Sequence, residues 1–125
     1  MKPDISIIIP AYNEESFIGN TLKSVFGSDF IGTYEVIVVC NGCSDKTAEI
    51  AGKTAAKVFN APTKGAPEAA NYGAKQAEGR TLAFLDADSV ISKNLLEEVA
   101  NAVNKKYIGG RTVVRWQGKS LAAKI

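Results

Sequence analysis

The stretch Ile5-Ser6-Ile7-Ile8-Ile9-Pro10-Ala11-Tyr12-Asn13-Glu14 begins as a run of β-branched residues and then turns polar. Its apolar part is almost continuous, which is typical of a strand that is buried on both faces of a parallel sheet. Pro10 is expected to end that strand, because proline cannot donate a hydrogen bond to a sheet ladder. Asn13 is then a candidate cap for a helix whose first turn carries Glu14 and Glu15.

The same order, a short apolar strand followed by a helix, recurs along the rest of the chain. Further strands are predicted at 35–39, 57–59 and 81–85. The later helices are predicted to begin at Ser44 or Asp45, at Gly65 and Pro67, and at Ser92. The third helix consists mainly of small residues, so it is expected to lie close to the sheet and to end at Gly79.

Alternating strands and helices imply right-handed crossovers and a parallel sheet. We therefore predict an α/β fold: a Rossmann-like, doubly wound, mostly parallel sheet with helices on both faces, in three α/β/α layers. After the fourth helix, the apolar pairs Tyr107-Ile108 and Val113-Val114 flank Gly109-Gly110. A chain of 125 residues with 46% hydrophobic content fits one compact domain.

Composition removes several classes of function. The 15 basic residues barely exceed the 13 acidic ones, so the net charge gives no support for a nucleic-acid partner. The longest apolar run is too short to cross a bilayer, and 1–4 is no secretory leader, so we expect a cytoplasmic protein. Histidine is absent, so catalysis would have to rely on carboxylates and hard cations.

Three predicted strands end in short polar segments, at 10–14, 41–45 and 86–88. A doubly wound sheet binds its ligands outside the carboxyl ends of its strands, so these segments form a candidate site. Each segment has an alternative explanation, because Asn, Asp, Gly and Ser are also ordinary turn and cap residues.

Asp86-Ala87-Asp88 is the segment that turn chemistry explains least well. Two carboxylates about 4 Å apart repel by about 4 kcal/mol at an effective dielectric constant near 20. A divalent cation would remove that repulsion. Mg²⁺ typically takes one or two carboxylates and completes its shell with water and substrate phosphates, so this short motif can suffice.

Two parts of the sequence resemble the family 2 glycosyltransferases. The segment 7–15 is similar to the opening motif of that family, and Asp86-Ala87-Asp88 is similar to its Asp-x-Asp motif. Ala70-Asn71-Tyr72-Gly73 and Gly79 stand where the family approaches that second motif. The resemblance covers about residues 4–114, which predicts a nucleotide-sugar-binding domain at 1–114 followed by a basic tail at 115–125.

The resemblance implies a fold of the GT-A type and transfer of a sugar, usually with inversion, from a UDP- or GDP-linked donor. The acceptor would be a saccharide or a lipid phosphate, and the cofactor Mg²⁺ or Mn²⁺. Asp88 would hold the metal, Asp86 would meet the ribose or sugar, and both would be catalytic residues. The implied substrate-binding residues are Pro10, Ala11, Tyr12, Glu14, Asn41, Asp45, Lys64, Asn71, Asp86 and Ala87.

The sequence departs from the family pattern at three places. Cys40 and Asn41 stand where the family usually has aspartate, although the Asn41 amide can still bind a base edge. Ala70 replaces a common arginine, which leaves Lys64 as the candidate phosphate contact. The family's acceptor-binding half, with its general base, would follow Ile125.

Alternative functions remain open at this point. The domain would be a nucleotide-sugar-binding module without transferase activity if the acceptor half is lacking. Cys40-Asn41-Gly42-Cys43 is also a Cys-x-x-Cys pair at the start of a helix, as in thioredoxin-like redox proteins. We expect this pair to be dispensable for nucleotide binding. The basic residues of 105–125 suggest either contact with an anionic membrane surface or a merely solvated segment.

Overall fold

A computed structural model describes residues 2–62, 65–104 and 115–116 of the chain. Lys64, most of the basic tail and the two apolar pairs around Gly109-Gly110 lie outside these residues. None of the helices in the described ranges is long and apolar enough to cross a membrane.

The described residues form a four-stranded parallel sheet, a small antiparallel pair and four helices. The strands are β1 (Ile5–Ala11), β2 (Tyr34–Asn41), β3 (Lys57–Ala61), β4 (Thr81–Phe84), β5 (Ser89–Val90) and β6 (Arg115–Trp116). The helices are α1 (Ile18–Phe26), α2 (Thr47–Gly52), α3 (Ala66–Gln76) and α4 (Leu95–Asn104). The main sheet has the order β3-β2-β1-β4, and β5 pairs with β6. The predicted α/β fold with a mostly parallel sheet is confirmed.

Alternate residues of the two central strands face different helices, because side chains alternate across a strand. Ile7, Ile9 and Val38 belong to the apolar cluster that includes Leu22 of α1 and Ala51 of α2. The opposite face packs against α3. There Ile37 and Val39 cluster with Ala69. The sheet is therefore covered on both faces, as predicted.

Gly73 allows α3 to lie close to the sheet, as its small residues predict. A Cβ atom at Gly73 would sit 2.6 Å from Cγ2 of Ile8 and 3.1 Å from Cγ2 of Val39. Both neighbours are β-branched residues in the middle of the sheet, so neither can move aside easily. A side chain at this position would push the helix away.

Pro10 does not end β1, which continues to Ala11. The Leu85 amide donates to the carbonyl of Ile8, so residue 8 directs its backbone groups towards β4. Residue 10 directs its groups to the same side, and β4 has already ended there at Phe84. The missing N–H of Pro10 therefore removes no ladder hydrogen bond.

The predicted helix cap at Asn13 is wrong. Helix α1 begins at Ile18, and none of the side chains that the structure describes caps it. Asn13 instead adopts a positive φ of 50° and contacts the loop after β2. The prediction that Gly79 ends α3 is also wrong, because the helix ends at Gln76. Gly79 is needed for close packing, since a Cβ there would lie 2.4 Å from Oγ of Ser6.

A hydrogen-bonded carboxylate fixes the edge of the sheet opposite the carboxyl ends. Glu35 is buried, and its side chain accepts hydrogen bonds from Oγ of Ser6 at 2.6 Å and the Glu78 amide at 2.7 Å. Nζ of Lys57 pairs with the same carboxylate at 2.9 Å. Burial alone would raise the pKa of Glu35, but these hydrogen bonds outweigh it and lower the pKa to about 2.

We predict that Glu35 makes the stability of the chain fall in acid. Its pKa is lower in the folded chain than the ordinary 4.5, so its contribution is fully present above about pH 5 and is lost as the pH falls towards 2. A shift of this size corresponds to about 3 kcal/mol. Urea unfolding of Glu35→Gln at several pH values should show lower stability at neutral pH and a weaker dependence below pH 5 than the parent.

Glu49→Gln is the matched control, because Glu49 is an exposed acid on α2. It should keep the parent's dependence of stability on pH. Equal curves for the two variants would contradict the role assigned to Glu35.

Candidate functional site

The carboxyl ends of β1, β2 and β4 lie along one edge of the sheet, because these strands are adjacent and parallel. Most of the residues predicted for the site lie on or just beyond these ends. The loops that follow are 12–17, 42–46 and 85–88. The first two loops are joined directly by hydrogen bonds.

Asn13 joins the loops after β1 and β2. Its side-chain oxygen Oδ1 accepts hydrogen bonds from the backbone amides of Ser44 at 2.8 Å and Asp45 at 3.3 Å. The positive φ of Asn13 is a conformation that asparagine tolerates better than most residues. Sequence analysis missed this role, although asparagine in a turn directly after a strand is a recognisable signal for it.

Asp45 adds a second set of links between the same loops. Its Oδ1 accepts from the amide and the hydroxyl of Thr47, and its Oδ2 accepts from the Glu15 amide at 3.2 Å. The Thr47 hydroxyl in turn accepts from the Glu14 amide at 2.9 Å. Burial would raise the pKa of Asp45, but the hydrogen bonds from Thr47 and Glu15 lower it. Asp45 thus stays charged, and both its oxygens help to shape the loops.

The segment Asp86-Ala87-Asp88 is anchored through its middle residue. Ala87 is buried, and its carbonyl accepts a hydrogen bond of 2.7 Å from the Thr21 hydroxyl. Asp86 is exposed and Asp88 is partly buried. Thr21 was missed by sequence analysis, although a polar residue beside Ile18 and Leu22 on the buried face of α1 is a detectable irregularity.

Four of the carboxylates at this edge of the sheet, those of Glu14, Asp45, Asp86 and Asp88, lie near one another. The pKa of Glu14 is raised, first by burial and then by the negative charges of Asp88, Asp45 and Asp86. The structure therefore brings together the four acids that the sequence placed in three separate segments. Such an edge has a negative potential and favours a cation.

The carboxylates suit a metal that is shared with a ligand. Among the described residues, no group of three or more His, Cys, Asp or Glu side chains is arranged to hold a metal ion by itself. Mg²⁺ and similar hard cations commonly take one or two carboxylates and complete their shell with water and phosphate oxygens. Asp88, with or without Asp86, fits a cation that arrives with a diphosphate.

The remaining predicted residues differ in their exposure and position. Ala11 is buried at the end of β1, whereas the Tyr12 side chain beside it is 61% exposed. Asn41 is partly buried as the last residue of β2. Asn71 is exposed on α3, in the helix layer rather than on a strand end. Lys64 lies outside the described residues.

Solved glycosyltransferases have the same fold. TarS of S. aureus in complex with UDP-GlcNAc superimposes with a TM-score of 0.76 at 30% identity, over 98% of this chain and 37% of that chain. The mannosyltransferase PcManGT from Pyrobaculum calidifontis, in complex with GDP-Man and Mn²⁺, gives a TM-score of 0.72. Its identity of 23%, over 90% of this chain and 35% of that chain, speaks for the fold alone.

A sequence relative agrees with the structural comparison. An uncharacterized glycosyltransferase of Haemophilus influenzae is 32% identical over 112 residues, which are 85% of this chain and 44% of that relative. The chain thus spans less than half the length of this relative. The model of glycosyl transferase family 2 matches residues 6–122, which is most of the sequence. The chain therefore belongs to glycosyl transferase family 2 and has the GT-A type of fold.

Proposed function

We propose that this domain binds a UDP- or GDP-linked sugar at the carboxyl edge of its sheet and takes part in transfer of the sugar to an acceptor. The observation that carries the proposal is that Glu14, Asp45, Asp86 and Asp88 lie together at that edge, where burial first and then the charges of the three aspartates raise the pKa of Glu14. The UDP-GlcNAc complex of TarS supports a nucleotide-diphosphate sugar as the donor. The two aspartates of Asp86-Ala87-Asp88 support the use of a divalent cation.

Each residue of the site has a distinct role in this proposal. Asp88 binds Mg²⁺ or Mn²⁺, and Asp86 contacts the ribose or the sugar. The Tyr12 side chain is exposed at this edge, and its ring contacts the base of the nucleotide. Glu14 contacts the ribose. The hydrogen bond from Thr21 to Ala87 holds the backbone between the two aspartates in place.

The proposed reaction is displacement at the anomeric carbon with inversion. A bound divalent cation would neutralise the charge that develops on the leaving diphosphate. The acceptor, a saccharide or a lipid phosphate, needs a carboxylate base, which we expect from a further part of the family's fold. Slow release of nucleotide without any transfer product would favour a binding module over a transferase.

The proposal also includes where in the cell the domain acts. We place the domain on the cytoplasmic side, and contact of the basic 115–125 segment with an anionic membrane surface would bring it near a lipid-phosphate acceptor.

The first prediction from the proposed function is that UDP or GDP stabilises the chain and that Mn²⁺ increases the effect. A ligand at about 100 times its dissociation constant adds about 2.7 kcal/mol. For a domain of this size the melting temperature should rise by about 10 °C, which a thermal-shift assay detects. Adenosine with Mn²⁺ is the control, since it lacks the diphosphate. No shift with either nucleoside diphosphate would refute the proposed donor site.

The second prediction concerns Asp88. Asp88→Asn should bind UDP without any added benefit from Mn²⁺, because the amide is a poor ligand for a hard cation. The fold should persist, since Asp88 is only partly buried. Asp29→Asn removes an exposed acid from the loop before β2, at the opposite edge of the sheet, and should keep the full Mn²⁺ effect. Calorimetric titration with UDP, with and without Mn²⁺, measures the affinity of both variants. An unchanged Mn²⁺ effect in Asp88→Asn would disprove the metal assignment.

The third prediction concerns Asn13. Asn13→Gly keeps a residue that readily adopts a positive φ, so its effect isolates the side-chain hydrogen bonds to Ser44 and Asp45. We expect a loss of about 1 kcal/mol in stability and a clearly weaker affinity for UDP. Gly52→Ala, at an open position at the end of α2, serves as a control for changes at glycine and should bind UDP like the parent. Parent-like affinity in Asn13→Gly would show that joining the two loops is unimportant for binding.

A further inference from the structure

Cys40 and Cys43 are brought together by the turn after β2. Gly42 has a positive φ of 66°, and its amide donates to the carbonyl of Cys40 at 3.1 Å, so the chain reverses at once. Cys40 is buried in the apolar cluster beneath α1, and the partly buried Cys43 packs against the same cluster. The Cys43 side chain lies near enough to act, after burial, on the pKa of the Cys40 thiol.

The Cys43 side chain is also part of the contact between the loops after β1 and β2. Its thiol donates to the carbonyl of Ala11 at 3.4 Å. The backbone amides of the next two residues, Ser44 and Asp45, donate hydrogen bonds to Oδ1 of Asn13. A displacement of Cys43 therefore acts directly on the hydrogen bonds that hold Asn13.

We propose that Cys40 and Cys43 form a reversible disulfide in the presence of a small-molecule disulfide oxidant, and that this bond weakens nucleotide binding. A disulfide holds its sulfurs about 2.0 Å apart, much closer than two unbonded thiols. Formation of the bond draws Cys43 towards Cys40 and away from Ala11, and it shifts Ser44 and Asp45 with it. This inference rests on the proposed donor site for its functional effect but not for the disulfide itself.

The chemistry balances with two exchange steps. The sulfur of Cys43, which is the more exposed of the two, attacks one sulfur of oxidised glutathione and releases one glutathione thiol. The sulfur of Cys40 then attacks Cys43 and releases the second glutathione. Each cysteine gives up one proton, and the two electrons lost by the pair reduce the glutathione disulfide. Burial raises the pKa of Cys40 to about 12, which accords with Cys43 reacting first.

The experiment compares the full chain in reduced and oxidised form. After incubation with oxidised glutathione, the intact mass under denaturing conditions should fall by two hydrogen atoms, and dithiothreitol should reverse the change. Titration with UDP and Mn²⁺ should show about tenfold weaker binding by the oxidised chain, as expected for the loss of one or two hydrogen bonds in the loops. Amide hydrogen exchange at Ser44 and Asp45 should become faster on oxidation, whether or not nucleotide is present.

Cys43→Ser is the matched variant, because a hydroxyl can still donate to Ala11 but cannot form the disulfide. Its affinity for UDP should equal that of the reduced parent and should not respond to the oxidant. A stable glutathione adduct in place of the internal bond would overturn the proposal, as would a disulfide that leaves both UDP affinity and amide exchange unchanged. Failure of the reduced parent to bind any nucleotide would refute the donor site instead, and the mass and exchange measurements would still decide whether the disulfide forms and moves the loop.

Discussion

The parallel pairing of β1 with a neighbour on each side determines where everything else in the domain lies. Ile8 is in register with Ile37 of β2 and with Phe84 of β4, so the three strands end within a few residues of one another. Because parallel strands point the same way, the polar segments that follow them must share one edge. The carboxylates that are far apart in the sequence meet because this pairing brings the strand ends together.

This pairing depends on two glycines, because each allows a neighbouring segment to pack closely against the sheet. Gly73 lets α3 lie against Ile8 and Val39, and Gly79 lets the segment before β4 pass against Ser6. The Glu78 and Gly79 amides donate to Glu35 and Ser6, respectively, so the entry to β4 is fixed by hydrogen bonds to β1 and β2. The register that positions Asp86 and Asp88 is thus set at the opposite end of the strand.

The four strands of the main sheet and the polar segments that follow three of them could be predicted from the sequence, because β-branched runs and strand ends are local signals. The short pair β5 and β6 was not predicted. The role of Asn13 could not be predicted, because the amides that donate hydrogen bonds to its side chain belong to a loop about thirty residues away. The end of β1 was misjudged for a related reason. A proline is compatible with a strand where the neighbour has ended, and only the register with β4 reveals that Pro10 meets this condition.

Glu35 and Glu14 lie at opposite edges of the sheet, and their surroundings shift their pKa values in opposite directions. Glu35 is buried yet has three donors, so its pKa falls to about 2 and the charge is stabilised within the fold. Glu14 has its pKa raised by burial and by three neighbouring aspartates. Acids that serve only the fold are expected to be paired, because uncompensated charge costs stability. The unfavourable interactions of Glu14 with its three neighbouring aspartates therefore accord with the proposed binding of a cation and diphosphate at the carboxyl edge.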